Sequence, residues 1–392
     1  MSRIPDAHRL RRGLAAVATC SLLALVAACG SDSSDESSTS PGDTSGGAAI
    51  SPSVDDLKTG TEQTPPTTGP EPKSGLKLVY VSCGQVAPGC AGPGVGLANA
   101  AKELGWTVTV LDGKFNAGGG YSTAFHQAIA LKPDAIATAG IDCSQVKQPV
   151  ADAKAAGIPV LSWLGADCDA DGGEKLWAAD IVYHQDAPTT AEWYAAWGVQ
   201  KVQYLEAKLG GKVRLINVRF NDALPSLNDG VESAIADCGD CEIVADVAVG
   251  TADAANPQGP IVAGVKAALL KHPDANALLV PADTQLMATG LLQALRNSPQ
   301  GKKLIVTGGE GGPSGIEALD QGPVPTAIIG YSNEWIGWAL ADSINRLLND
   351  SPQVAEGFGT RVVEKGENPA DEAYQAKVDF ESAYKQAWGI TQ

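Results

Sequence analysis

Apolar runs of strand length alternate with longer amphipathic segments along most of this chain, from Leu76 to Asn349. The apolar runs predict buried strands, and the amphipathic segments predict helices. The predicted strands are Leu76–Ser82, Thr107–Leu111, Ala135–Ala139, Ile158–Ser162, Lys212–Val218, Glu242–Val247, Ala277–Val280, Lys303–Thr307 and Thr326–Gly330. The predicted helices are Gly94–Leu104, Tyr121–Leu131, Gln145–Ala156, Leu227–Ala236, Ile261–Leu270, Thr284–Arg296, Gly315–Asp320 and Trp335–Asn349.

This alternation predicts parallel sheets that are covered by helices on both faces. It is interrupted between Asp180 and Lys201 and then resumes, which indicates two lobes. The predicted fold class is therefore α/β, with two doubly wound parallel-sheet lobes. In open α/β sheets the ligand crevice lies outside the carboxyl ends of the strands, so the residues that follow each strand are the candidates for a binding site.

The N-terminus has the pattern of a secretory signal. Four arginines precede an apolar run from Leu14 to Ala28, which is shorter than the roughly 20 residues that cross a bilayer. The run ends in Val26-Ala27-Ala28-Cys29, which resembles a bacterial lipobox. We therefore expect residues 1–28 to be a lipoprotein signal peptide and Cys29 to carry lipid at the outer face of the cell membrane. The alternatives are a soluble secreted protein cut at an A-x-A-like site and, from Arg11-Arg12, twin-arginine rather than general secretory export.

Residues 29–75 are rich in Ser, Asp, Gly, Thr and Pro and contain few apolar residues. Such a composition predicts a disordered tether, because burial offsets too little of the ordering entropy. The rest of the chain, residues 76–392, is long enough for two lobes. The net charge of −17, with no cluster of Lys or Arg after the leader, argues against nucleic acid as a partner.

Six cysteines follow Cys29, an even number that predicts three disulfides in an oxidising compartment. The two pairs that are close in sequence are Cys83–Cys90 and Cys238–Cys241, which leaves Cys143–Cys168; pairing of Cys83 with Cys143 is the alternative. A redox CxxC is disfavoured because Cys238 follows a helix and Cys241 precedes a strand. No zinc site is predicted, since the three histidines downstream of the leader are isolated in sequence.

Several segments resemble the type I periplasmic binding proteins of the ribose-binding class, the sugar-type substrate-binding components of ABC importers. The resemblance lies in the order and spacing of Leu78–Ser82, Lys132–Ile136, Ala156–Val160, His272–Ala275 with Ala282-Asp283, and Tyr384–Gly389. It implies a three-crossover hinge near Asp186, Gly330 and Gln353. The first lobe would comprise about 76–185 and 331–353, and the second about 186–330 and 354–392.

The resemblance also implies function: a monomer that captures a small-molecule ligand and delivers it to an ABC permease and its ATPase, with no cofactor or metal. A sensor that presents its ligand to a membrane receptor is the alternative. The Asp-Arg pair that sugar binders commonly carry after the fourth strand is missing, because Leu164-Gly165 follows Trp163. The ligand is therefore expected to be small and polar: a sugar or a sugar-like molecule, with an aromatic ligand as a further alternative.

The predicted ligand contacts are polar and aromatic residues at the strand ends, a set that suits a small ring with hydroxyl or amine groups. They are Gln85, Trp163, Phe220, Asn221, Asp283, Glu310, Tyr331, Asn333 and Trp335. Each has a structural alternative, such as hinge packing for Tyr331 and Trp335 or a helix cap for Asp283. Trp193 and Trp197, four residues apart, are predicted to be core.

Enzyme classes and DNA binding fit the sequence poorly. Gly94–Asn99 lacks the third glycine of a dinucleotide loop, Gly308–Gly312 lacks the Lys-Ser/Thr of a P-loop, and Gly312–Gly315 lacks the register of a nucleophile elbow. No basic helix-turn-helix precedes the first lobe, as a repressor of this fold would require. No catalytic residues are predicted.

Overall fold

A computed structural model describes residues 52–254 and 256–390. The predicted signal peptide, the lipidation site Cys29 and the first part of the predicted tether lie outside the described residues. Within them, two separate sheets are built almost wholly from parallel strands. The predicted α/β fold with two lobes is confirmed.

The first lobe is built on a four-stranded parallel sheet in the order β2-β1-β3-β4. Helices cover both faces: α2 and α11 pack together on one, and α3 and α4 lie on the other. The strands are β1 (Lys77–Ser82), β2 (Thr107–Asp112), β3 (Ala135–Ala139) and β4 (Val160–Trp163). The helices are α2 (Pro88–Glu103), α3 (Gly120–Ala130), α4 (Cys143–Ala155) and α11 (Asn333–Leu348).

The second lobe is built on a six-stranded sheet in the order β10-β9-β8-β7-β5-β6, in which only the edge strand β10 is antiparallel. Helices α5 and α6 pack together on one face, and α7 and α9 lie on the other. The strands are β5 (Arg214–Phe220), β6 (Glu242–Val249), β7 (Ala277–Leu279), β8 (Ile305–Gly308), β9 (Ala327–Gly330) and β10 (Arg361–Val363). The helices are α5 (Thr190–Leu209), α6 (Pro225–Asp237), α7 (Pro260–Lys271), α8 (Asp283–Met287), α9 (Leu291–Asn297) and α10 (Pro313–Asp320).

The predicted strands match the observed ones closely, whereas two helical regions differ. The single helix predicted over Thr284–Arg296 is two helices, α8 and α9, because Gly290 between them has a φ of +82°. Helix α5 lies partly in the stretch that the sequence assigned to a break. Its Trp193 and Trp197 are buried, so their prediction as core residues is confirmed.

The C-terminal helix α12 (Phe380–Ala387) belongs to the segment predicted for the second lobe, but it packs against α11 of the first. Phe380 stacks on Trp335, and Trp388 stacks on Trp338 with 5.5 Å between ring centroids. The aromatic residues of α11 thus provide a face for the apolar side of α12. This return to the first lobe is a crossing that the three-crossover prediction did not include.

The prediction of a disordered tether is wrong for residues 52–75. This segment contains helix α1 (Val54–Thr59), whose Leu57 is buried, and it continues along the folded lobes to β1. Several of the hydrogen bonds that hold it to the lobes use its own backbone atoms, among them the carbonyls of Thr68 and Pro70. Such contacts do not depend on apolar side chains, so the composition of the segment gives no sign of them.

Residues 52–254 and 256–390 contain three disulfides, Cys83–Cys90, Cys143–Cys168 and Cys238–Cys241, the same pairs that the sequence predicted. Among the described residues, no helix has both the length and the apolar character needed to cross a membrane.

Candidate ligand-binding site

Two cavities lie between the lobes, at the carboxyl ends of the strands. The first cavity, of about 740 Å³, is bounded by the loop and helix that follow β1, by the loop after β8 and by the residues after β9. The second cavity, of about 800 Å³, is bounded by the loops after β3, β4 and β5. Both positions are those where parallel α/β sheets bind ligands.

Four of the predicted contacts line these cavities. Gln85 and Asn333 lie in the wall of the first cavity, and Phe220 and Asn221 lie in the wall of the second. Asn333 is buried, and its Oδ1 has no hydrogen-bond partner. A ligand that donates a hydrogen bond would satisfy this oxygen.

The Cys83–Cys90 disulfide holds the loop after β1 in position. It joins the end of that strand to the first turn of α2 and so encloses Gln85 in a short loop. The carbonyl of Cys90 accepts hydrogen bonds from Tyr80 Oη (2.8 Å) and Ser82 Oγ (2.9 Å), both buried. Pro88 occupies the first turn of α2, where a missing N–H costs nothing. The first lobe therefore presents a fixed edge to the cleft.

Asp283 and Glu310 form a buried acidic pair on the second lobe. The Asp283 carboxylate accepts backbone N–H bonds from Gly312 (2.7 Å), Gly311 (2.9 Å) and Gly309 (3.2 Å). Glu310 Oε2 accepts the N–H of Asp283 at 3.3 Å. Asp283 thus folds the loop that carries Glu310, which is a structural role at the rim of the first cavity.

Lys201 of α5 is a member of this cluster that the sequence analysis did not identify. It is fully buried, donates to the Gly308 carbonyl at 2.7 Å and lies 4.1 Å from the centroid of the Trp197 ring. Burial lowers the pKa of Lys201, and the nearby carboxylates of Asp283 and Glu310 oppose that shift. The sequence did contain a signal for this residue, because a lysine on an otherwise apolar helix face indicates a buried charge with a specific partner.

Burial also shifts the pKa values of Asp283 and Glu310. Burial raises the pKa of Glu310, and the charge of Asp283 raises it further. Burial raises the pKa of Asp283, while the three glycine N–H groups act in the opposite direction. The cluster therefore holds more acidic groups than cations, and a neutral Glu310 relieves the repulsion between the two carboxylates.

Trp163, Tyr331 and Trp335 are all buried and line neither cavity. Trp163 packs 4.5 Å from Tyr183 and 4.9 Å from Phe358, between ring centroids. Tyr331 packs edge-on to the two tryptophans of α5, and Trp335 donates through Nε1 to Tyr384 Oη at 3.1 Å. In this arrangement the three side chains form the aromatic core beneath the cleft.

One group of potential metal ligands occurs in the described part of the chain: Cys143, Asp167 and Cys168. Both cysteines are joined in a disulfide and supply no thiolate. The Asp167 carboxylate accepts backbone N–H groups of Cys168, Leu176 and Trp177. The disulfide and these hydrogen bonds hold a turn together, which gives the three residues a structural role.

Comparison with solved structures finds the same two-lobed fold. GanP, a glucose-galactose binding protein from Geobacillus stearothermophilus, matches with a TM-score of 0.61 and 18% identity over 76% of this chain and 100% of its own. The periplasmic binding protein component of the arabinose ABC transporter from Shewanella sp. ANA-3, bound to L-arabinofuranose, matches with a TM-score of 0.59 and 18% identity, covering 73% of this chain and 91% of its own.

A third similar structure is the 5-methylthioribose transporter solute binding protein from Thermotoga lettingae TMO, with a TM-score of 0.58 and 18% identity over 77% of this chain and 88% of its own. At such identities the similarity establishes the fold. No curated protein sequence matches the chain at a significant level. The model of the periplasmic binding protein domain matches residues 85–352, which is more than half of the chain. The chain is a binding protein rather than an enzyme, and it belongs to the periplasmic binding protein domain family.

Proposed function

We propose that this protein captures a sugar or sugar-like ligand between its lobes and delivers it to an ABC permease. The observation that carries the proposal is the pair of cavities at the strand ends, each walled by both lobes. A ligand held there gains contacts from both lobes only when the cleft is closed, so binding favours the closed form. The sugar-binding relatives of the same fold support this choice of ligand class.

The walls of the first cavity indicate what the ligand offers. Its polar side chains are mainly amides and carboxylates, together with the hydroxyls of Ser332 and Tyr374, and none of the described residues that line it is a lysine or an arginine. Tyr374 and Phe380 provide aromatic surface beside them. Hydroxyl-rich rings, such as those of carbohydrates, donate hydrogen bonds to such acceptors.

Anchoring at the outer face of the membrane is part of the proposal. It rests on the Val26-Ala27-Ala28-Cys29 pattern and on the family, whose members act outside the cytoplasm. A lipid anchor keeps the binding protein near its permease and raises the local concentration of the loaded form.

A ligand screen followed by calorimetry tests the proposal. We expect a sugar or polyol from a panel that also includes nucleosides and small aromatic compounds to raise the melting temperature. Asn333→Ala, in the first cavity, should weaken that ligand about tenfold, since a lost hydrogen bond to a buried polar group costs about 1–3 kcal/mol. Asn221→Ala, at an exposed position in the wall of the second cavity, reports whether the ligand lies there instead. Asn297→Ala, on the exposed end of α9, is the matched control.

The outcome also separates transport from sensing. Stimulation of ATP hydrolysis by the reconstituted permease, in the presence of the loaded protein, supports delivery. A panel in which no compound stabilises the protein, or equal affinity in both cavity variants and the control, contradicts the proposed site.

A further inference from the structure

Residues 52–75, here called the strap, form an ordered segment that precedes the first strand. It begins with a capping box, in which Ser53 Oγ accepts the N–H of Asp56 and the Asp56 carboxylate accepts the N–H of Ser53. Such a box stabilises the start of a short helix. The helix α1 that follows buries Leu57. The capping box and the buried leucine define the N-terminal end of the strap.

The first half of the strap is bound to the second lobe and its crossover. The N–H of Thr61 donates to the Thr360 carbonyl at 2.9 Å, and the N–H of Gln63 donates to the Gly357 carbonyl at 2.8 Å. Helix α1 packs against β10 and α5 of that lobe. Together these contacts fix residues 54–63 in position.

An ion-pair network reinforces the same attachment. Lys58 Nζ lies 2.7 Å from Glu364 Oε2, and Glu364 Oε1 also accepts from Lys208 of α5 at 2.9 Å. Hydrogen bonds from Lys58, Lys208 and Tyr204 lower the pKa of Glu364 to about 2 although its burial acts in the opposite direction. Lys58 joins the strap to a carboxylate that the second lobe already holds.

The second half of the strap is bound to the first lobe. Arg346 Nη2 and Asn345 Nδ2 of α11 donate to the carbonyls of Thr68 and Pro70, each at 2.8 Å. Trp106 Nε1, next to β2, donates to the Lys73 carbonyl at 2.6 Å. Residues 68–73 are therefore attached to elements that move with the first sheet.

Only residues 64–67 separate the two attached halves, and they include Pro65 and Pro66. Two consecutive prolines restrict φ and favour a stiff, extended chain with little slack. A rotation of one lobe away from the other at the hinge must separate or reorient the attached ends. The strap has few free dihedral angles with which to absorb that movement.

We propose that the strap limits how far the cleft opens, and that its release from the second lobe allows a wider opening. The inference rests on the lobe movement of the proposed function and adds a structural stop to it.

A glycine opposite the strap gives a selective variant. A methyl group on Gly359 would overlap the Glu62 nitrogen and the Thr61 carbonyl carbon, both strap backbone atoms. Gly359 does not have a positive φ, so alanine suits its own backbone. Gly359→Ala should displace the strap from the second lobe by a steric clash. Leu57→Ala should weaken the same attachment by removing the buried side chain of α1. Asp55→Ala, on the exposed face of α1, is the matched control.

The test measures the full chain without any ligand. Spin-labelled non-natural residues at the exposed positions Lys102 of α2 and Lys266 of α7 report the distance between lobes and leave the disulfides intact. Hydrogen exchange at Thr61 and Gln63 reports strap docking. In Gly359→Ala and Leu57→Ala we expect those amides to exchange at least about tenfold faster and the distance distribution to extend to longer values. Asp55→Ala should match the native chain.

Two results would overturn the proposal. One is native exchange at Thr61 and Gln63 that is as fast as in an unfolded peptide, which would mean that the strap is not docked. The other is an unchanged distance distribution in variants whose strap amides are released while sheet amides stay protected. The ligand screen tests the proposed function separately, so a failure of one does not imply a failure of the other.

Discussion

Pro88, in the first turn of α2 on the first lobe, packs against Gly312 on the loop after β8 of the second. A methyl group on Gly312 would lie 2.8 Å from Pro88 Cγ, closer than carbon atoms approach without a clash. Gly312 has a φ of −63° and a ψ of 162°, which any residue can adopt. The absence of a side chain there is therefore explained by the approach of the other lobe.

This contact predicts that Gly312→Ala folds normally but does not close. The proline ring is rigid, so the lobes must stay apart to accommodate the methyl group. In small-angle scattering, the variant saturated with the screened ligand should keep the larger radius of gyration of the ligand-free protein. Gly239→Ala, whose new methyl would contact nothing, is the control. Compaction of Gly312→Ala equal to that of the native protein would contradict the prediction.

Glu310 should make the stability of the protein depend on pH. Its pKa in the folded state is raised above the ordinary value of 4.5, so its contribution to stability is complete below that value and is lost as pH rises through the folded pKa. Lys201, with its pKa lowered to about 7, adds a dependence of opposite sign only at higher pH.

Melting temperatures between about pH 5 and pH 7 check this prediction. We expect the native protein to lose at least about 2 °C relative to Glu310→Gln over that interval, because glutamine keeps the shape of the protonated acid without its titration. Glu317→Gln, on the exposed face of α10, should parallel the native curve. Parallel curves for the native protein and Glu310→Gln would show that Glu310 does not titrate there.

Trp163 was predicted from the sequence to contact the ligand, and its position in the aromatic core suggests a different main effect. Trp163→Phe should lower the free energy of unfolding by about 1–3 kcal/mol, because a smaller ring leaves a gap between Tyr183 and Phe358. Ligand affinity should change less than about twofold, well below the tenfold that corresponds to about 1.4 kcal/mol. Denaturant unfolding and calorimetry measure the two quantities. A tenfold loss of affinity would contradict this prediction and indicate that Trp163 contacts the ligand.

The predicted anchor has a direct test in cells. Cys29→Ser removes the only sulfur that the lipobox-like pattern places at the cleavage site, so we expect the variant to leave the membrane fraction and appear in the soluble one. Cys20→Ser, within the predicted signal peptide, is the control and should remain membrane-bound. Retention of the Cys29→Ser variant in the membrane would contradict lipidation.

Local pattern was sufficient for much of the fold. Strands such as Ala135–Ala139 are wholly buried and, apart from Thr138, apolar, so their type and bounds follow from the sequence. The short spacing of Cys83 from Cys90 and of Cys238 from Cys241 led to the observed disulfide pairs. The positions that follow the strands were the right places to look for cavities, because parallel sheets align their carboxyl ends.

What the sequence could not determine depends on contacts between residues far apart in the chain. Lys201 comes close to Asp283 and Glu310 only when α5 packs beneath the loop after β8. The local sequence does not indicate that these residues are neighbours. The strap has too few apolar residues to be predicted as ordered, and its order comes from carbonyls that Arg346 and Asn345 reach across the fold. The sequence by itself determined the elements and the edge where the cavities lie, because those follow from local periodicity and the parallel order of the strands. Which side chains line that edge, and which lie in the core beneath it, was decided only by tertiary packing.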